Sequence, residues 1–130
     1  MQASKKIVIR VETSNKPGMM AKVFSEVSKL GINIPAFIAW VENNKGEIRL
    51  LADDPKHLSD VLKSAGFKPQ TEEIIVVKAE NKAGAAWAIG GKLGNAGVNI
   101  TKAFATSGSA GEGVIILFTD DNNKAIEALI

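Results

Sequence analysis

The 130-residue chain is 45% hydrophobic and 23% charged, with a formal net charge of +2, the profile of a globular protein and not of a disordered or fibrous one. Its lysines are dispersed and form no block longer than Lys5-Lys6, so neither nucleic acid nor a membrane surface is expected as a partner. The absence of cysteine removes disulfides, thiolate zinc sites and cysteine nucleophiles.

No apolar run approaches the roughly 18 residues of a membrane span, and Arg10 and Glu12 interrupt the first apolar stretch where a signal peptide would need its core. A cytoplasmic location is the expectation.

Ile7, Ile9 and Val11 alternate with Val8, Arg10 and Glu12, the period-2 pattern of a strand with one apolar face. Thr13-Ser14-Asn15 ends it with turn and cap formers. Asn15 is suited to accept hydrogen bonds from free backbone amides, Pro17 has a preset helical φ, and Gly18 permits close backbone approach. A helix is therefore expected here, with Met20, Val23, Phe24, Val27 and Leu30 inward and Gly31 as its stop. Asn33 to Val41 reads as a second strand, Asn43-Asn44-Lys45-Gly46 as a hairpin turn and Glu47 to Ala52 as the return strand. Asp53-Asp54-Pro55 starts a second helix that buries Leu58, Val61 and Leu62 and ends at Gly66. A short strand within Phe67 to Thr71 closes the unit.

The same plan is then written again. Glu73 to Glu80 is a strand, Asn81-Lys82-Ala83-Gly84 repeats Asn15-Lys16-Pro17-Gly18, and Gly97-Val98-Asn99-Ile100 repeats Gly31-Ile32-Asn33-Ile34 at the same spacing. The intervening helix carries Gly90, Gly91 and Gly94, each costing about 1 kcal/mol against alanine. Close approach of another backbone explains them best, with a ligand wall rimmed by Trp87 as the alternative. Val114 to Phe118 is apolar at every position, like a strand buried on both faces, which favours a covering subunit and hence a homodimer. Gly46 matches Gly113, and Asp53-Asp54 match Asp120-Asp121, at an offset one larger than that of the loops, so the second hairpin holds one extra residue.

The expected architecture is α+β: two ferredoxin-like βαββαβ sandwiches in tandem, with antiparallel sheets and helices on one face. Residues 1–71 form the first and 72–130 the second, whose final strand is absent. Either the sequence is cut short, or the edge left open beside Ile74 to Val77 is covered by another segment.

In the order strand, Asn-Lys-Pro-Gly, amphipathic helix, Gly-Ile-Asn-Ile, strand, the chain resembles the ACT domain, a small amino-acid-binding regulatory module. The resemblance covers almost the whole chain as two consecutive units. It implies a ligand where the loop after the first strand meets the second strand of a neighbouring domain. The positions so implied are Asn15, Lys16, Pro17, Gly18 and Met19 with Asn33 and Ile34, and Asn81, Lys82, Ala83, Gly84 and Ala85 with Asn99 and Ile100. A helix start offers free N–H groups to a carboxylate, and an asparagine amide can both donate and accept. Thr13 and Ala79 stand where serine-binding members carry histidine, and Ala83 replaces the proline. Cap and helix-stop roles would account for the same residues without a ligand.

Other chemistry finds no support. His57, the sole histidine, has no second histidine or thiol with which to share a metal. Asp53-Asp54 and Asp120-Asp121 precede helices, where capping explains them. Ala86 to Leu93 contains Gly91-Lys92 but lacks the opening glycine and closing hydroxyl of a phosphate loop. The arginine-bearing loop of acylphosphatases is missing, and the first and third strands lack the aromatics of a base-stacking sheet. No nucleophile, base and orienting group assemble, so no catalytic centre, metal or cofactor is expected. The expected partners are a small amino acid, a second copy of the chain and a separate metabolic enzyme. A ligand-free subunit docking on an enzyme through its sheet is the alternative.

Overall fold

In the computed structural model, which describes residues 1–107 and 111–130, strand β1 (Gln2–Ser14) is followed by helix α1 (Met19–Lys29), strands β2 (Ala36–Glu42) and β3 (Lys45–Leu51) and helix α2 (Pro55–Ser64). Strand β4 (Gln70–Glu80), helix α3 (Ala85–Asn95), strands β5 (Ile100–Ser107) and β6 (Glu112–Thr119) and helix α4 (Asn122–Leu129) repeat the order. Two units result, one of Ile7–Glu72 and one of Glu73–Ile130 together with Met1–Lys6.

In the first unit the strand order is β2-β3-β1, followed by the opening residues of β4. β1 pairs antiparallel with β3, Val8 opposite Leu51 and Ser14 opposite Lys45, and β3 pairs antiparallel with β2. The alternation in β1 sends Ile9 and Val11 to the helices, where Val23, Val27, Ile48, Leu50, Leu58 and Leu62 complete the core. Met20 and Leu30, expected inward, are about half exposed, because α1 turns only Val23 and Val27 fully into the core. Residues 43 and 44 make the hairpin turn with positive φ at both asparagines, the conformation a tight two-residue hairpin demands.

In the second unit β4 is flanked by β6 and by the first residues of β1, and β6 is flanked by β5. Its core joins Ile75, Val77, Ile89, Leu93, Val98, Leu117, Ala125 and Leu129, with Ala3 packed against it. Met1–Lys6 thus occupies the edge beside Ile74 to Val77. Lys5 Nζ also donates to Asn123 Oδ1 on α4. β4 in turn lends Gln70–Glu72 to the first unit, so the expected separate closing strand within Phe67 to Thr71 is the start of β4. The tip of the second hairpin, where the extra residue was expected, lies outside the described residues.

Val114 is only half-buried, whereas Ile116 and Phe118 are buried within the unit. Phe104 meets Phe118 edge-on at 6.2 Å, and Lys102 lies over the Phe118 ring at 5.6 Å. Gly90, Gly91 and Gly94 have no other group within 4 Å of where a side chain would begin, and Trp87 is 84% exposed, so no described backbone approaches α3 at these positions.

Candidate functional site

The two repeated loops adopt the same backbone. α1 follows Gly18 and α3 follows Gly84, both left-handed with φ of 88°, and neither helix receives a side-chain cap. A residue with a β-carbon is strained there, which is why each repeat ends its loop in glycine. Lys22 N donates to Gly18 O at 3.0 Å and Ala88 N to Gly84 O at 2.9 Å, so the glycine carbonyls open the helices. Lys16 N donates to Ser14 O at 3.1 Å and Lys82 N to Glu80 O at 3.0 Å. Asn15, Lys16, Pro17 and Gly18 are exposed, as are Asn81, Lys82, Ala83 and Gly84; Met19 and Ala85 are half-buried.

Asn15 does not cap its helix. Its Nδ2 donates to Asn44 Oδ1 at 3.1 Å, tying the loop to the β2–β3 turn. The cap position falls three residues later because Gly18 takes the left-handed turn into the helix. In the second loop it is the Asn81 backbone N–H that is held, donating to Gly111 O at 2.7 Å.

The asparagines after the helix stops lie elsewhere. Asn33 Nδ2 donates to Asp53 Oδ2 at 3.1 Å and Asp53 N to Asn33 O at 3.5 Å. Asn99 N donates to Asp120 Oδ1 at 2.9 Å and Asp120 N to Asn99 O at 3.1 Å. Each pair ties the entry of the second strand to the exit of the third. The side-chain amide of Asn33 is engaged, whereas that of Asn99 has no hydrogen bond among the described residues. Ile34 and Ile100 pack against their units' cores, which gives both a structural role.

Within one unit the loop and the asparagine do not meet. The loop follows Ser14, opposite Lys45, while Asn33 is tied to Asp53, beyond Leu51, which lies opposite Val8. At about 3.3 Å per residue, the two ends of this ladder lie roughly 20 Å apart. Asn81 and Asn99 are separated in the same way, by the ladder from Glu80–Glu112 to Ile100–Thr119.

A polar cluster that the sequence reading did not single out lies on the first unit's sheet, on the face away from the helices. Arg10 donates to Glu47 through Nε at 3.0 Å and Nη2 at 2.7 Å, and through Nη1 to Gln70 Oε1 at 3.2 Å. Arg49 Nε donates to Glu72 Oε1 at 3.0 Å, its Nη1 lies 4.0 Å from Glu47 Oε2, and its guanidinium stacks on Trp40 at 4.5 Å. The bond to Glu47 holds the Arg10 guanidinium above its ordinary pKa, with burial acting in the other direction. Charges at alternate positions of two strands expected to pair were the available signal. Among the described residues there is no group of three or more potential metal ligands, and no helix is long and apolar enough to cross a membrane.

Two ferredoxin-like units with duplicated glycine-capped helix starts define a tandem small-domain module of the ACT type. The profile of the ACT domain pair matches residues 3–130, and the chain belongs to that family. It is similar to a protein of known structure from Bacteroides thetaiotaomicron, at 22% identity and a TM-score of 0.91 over 98% of this chain and 88% of the other. The ligand-free regulatory subunit of aspartate kinase from Thermus thermophilus is similar at 16% identity and a TM-score of 0.67, over 99% and 95% of the two chains. Aspartate kinase from Clostridium acetobutylicum aligns at 18% identity and a TM-score of 0.59, over 98% of this chain and 33% of the enzyme. No curated protein sequence matches.

Proposed function

We propose that the chain is a non-catalytic regulatory module that binds a small amino acid and, as a homodimer, passes the binding signal to a separately encoded metabolic enzyme. The observation that carries this reading is the matched pair of exposed helix starts at Gly18 and Gly84, each without a side-chain cap. Their first-turn amides suit a carboxylate, and a helix start favours negative charge. A ligand's α-amino group needs an acceptor, which the Asn99 side chain supplies on a second copy or not at all, since its own unit's loop lies at the far end of the strands.

Isothermal calorimetry with the twenty amino acids tests the reading. Heat and a raised melting temperature for one or a few, lost in Asn99→Ala at unchanged stability, support it; no heat and no thermal shift with any of them overturns it. The second reading is a ligand-free subunit that docks on an enzyme through its sheet. It is favoured by the bonds that already occupy the side chains of Asn15 and Asn33.

A further inference from the structure

We infer that a cavity at the rim of the second unit's sheet binds a small amphiphilic anion, a carboxylate carrying an aliphatic or aromatic tail, and that Lys6 and Lys78 supply the opposing charge. None of the residues implied for the amino-acid site lines this cavity, so the inference stands apart from the reading above.

The cavity measures about 520 Å3, within the range of small-molecule pockets, and every residue that lines it belongs to the second unit. Its position follows from β1. The ladder of β1 with β3 begins at Val8, so the residues before it form the outer strand of the second unit. Alternation along the strands then divides the walls between the two sides of the sheet. Ala3 packs against the core under the helices, which holds Ile75, Val77 and Leu129. Gln2, Ser4 and Lys6, and likewise Val76 and Lys78, therefore stand on the other side. At the rim a ligand reaches both sides, meeting hydrocarbon from Met1, Ala3, Val76 and Leu129 and charge from Lys6 and Lys78.

The side-chain charge in this lining is of one sign. No Asp or Glu lines the cavity among the described residues. Neither Lys6 nor Lys78 has an ion pair or hydrogen bond among the described residues, whereas Lys5 bonds Asn123 and Lys82 pairs with Glu80. The duplication shows that the fold does not require lysine at these places. Glu12 precedes Lys78, and Lys6 precedes Glu72, by the interval that separates the two repeated loops. The matching places of the first unit thus hold glutamates, and both are paired, Glu12 with Lys45 at 3.9 Å and Glu72 with Arg49 at 3.0 Å. Two unpaired ammonium groups beside an apolar wall suit a ligand that brings negative charge and a hydrocarbon body together. An inorganic anion would leave the wall bare, and a cation would meet like charge.

The test uses the full chain, with octanoate as the probe and octylammonium, which has the same tail and the opposite charge, as its counterpart. Isothermal calorimetry is expected to show octanoate binding and octylammonium not binding. The double variant Lys6→Gln, Lys78→Gln should bind octanoate about tenfold more weakly or worse, the equivalent of one lost hydrogen bond to a charged group. Its circular dichroism should be unchanged, because both side chains are exposed. In the wild type, amide NMR shifts on adding octanoate should gather in Met1–Lys6, at Val76 and Lys78 and at the end of α4, and spare Ile7–Glu72. Absence of octanoate binding, equal binding of octylammonium, undiminished binding by the double variant, or shifts gathered in Ile7–Glu72 would each overturn the inference, and each would leave the amino-acid reading standing.

Discussion

Replacing Glu47 by alanine should be the most damaging single surface-directed change in the first unit. Glu47 lies on the sheet face away from the helices, yet its side chain is only 7% exposed and that of Arg49 only 5%. It accepts two hydrogen bonds from Arg10 and faces Arg49. Arg10, Arg49, Glu47 and Glu72 balance to zero; removing Glu47 leaves a net positive charge and withdraws one of the two carboxylates beside a buried guanidinium. Loss of one member of a buried pair costs about 3–5 kcal/mol, because the remaining charge keeps its desolvation penalty. For a unit of this size, 1 kcal/mol shifts the melting temperature by about 4–8 °C, so a fall of at least roughly 12 °C is expected. Arg10→Ala should cost less, about 1 kcal/mol, since its side chain is 32% exposed and Glu47 retains Arg49. The Arg10 contribution is fully present below its ordinary pKa and lost only as the pH rises past the raised one. The difference between the two variants should therefore persist across neutral pH. Thermal and urea unfolding followed by circular dichroism would measure it. A cost below about 1 kcal/mol for Glu47→Ala, or equal costs for the two variants, would refute the reasoning.

Glycine replacements should split by sign. Gly18→Ala and Gly84→Ala force a side chain into φ of 88° and should each destabilise by about 1–2 kcal/mol, whereas Gly91→Ala, in α3 with open space around it, should stabilise by roughly 0.5–1 kcal/mol in urea titrations. Asn33→Ala removes the bond to Asp53 and should cost about 1 kcal/mol, while Asn99→Ala, whose residue bonds through its backbone N–H and C=O, should leave the urea midpoint within error. Deleting Met1–Lys6 strips Ala3 from the second core and the Lys5 contact from α4. Hydrogen exchange should then quicken in 73–80 and in α4 but not in the core of Ile7–Glu72.

Most of the elements were legible because their signals are local. The caps at Asp54 and Asp121, which accept from His57 N and Lys124 N, sit where the sequence puts an acidic pair before a helix. The buried faces of α2 follow from Leu58, Val61 and Leu62 alone. Asn15 misled because cap preference is a statement about residue type, while the left-handed turn at Gly18 decides where the helix begins. Leu30 and Met20 misled because helical spacing marks a wide stripe, and the sheet beneath covers only the part of it that holds Val23 and Val27.

What escaped the sequence was long-range by nature. Read as two consecutive pieces, the repeat predicts a closing strand after Gly66 and leaves the second unit without one. A strand has two ends, however, and its halves can serve different units: β1 sets Ala3 against one core and Ile9 and Val11 in the other, while β4 gives Gln70–Glu72 to the first unit and Ile75 and Val77 to the second core. Such strands leave no mark in a periodicity search, since the partner changes at polar residues, Lys5-Lys6 in β1 and Glu72-Glu73 in β4, where each strand reads as ending. The same holds for Arg10 and Arg49, which look like solvent-facing residues of two separate strands. Only the antiparallel register that sets them opposite each other, with Glu47 and Glu72 within reach, turns four scattered charges into one partly buried cluster. The candidate site follows the same logic. Each glycine-capped loop is fixed by its own few residues, but under the proposed reading the group facing a bound amino acid comes from a second copy, and no local signal marks it.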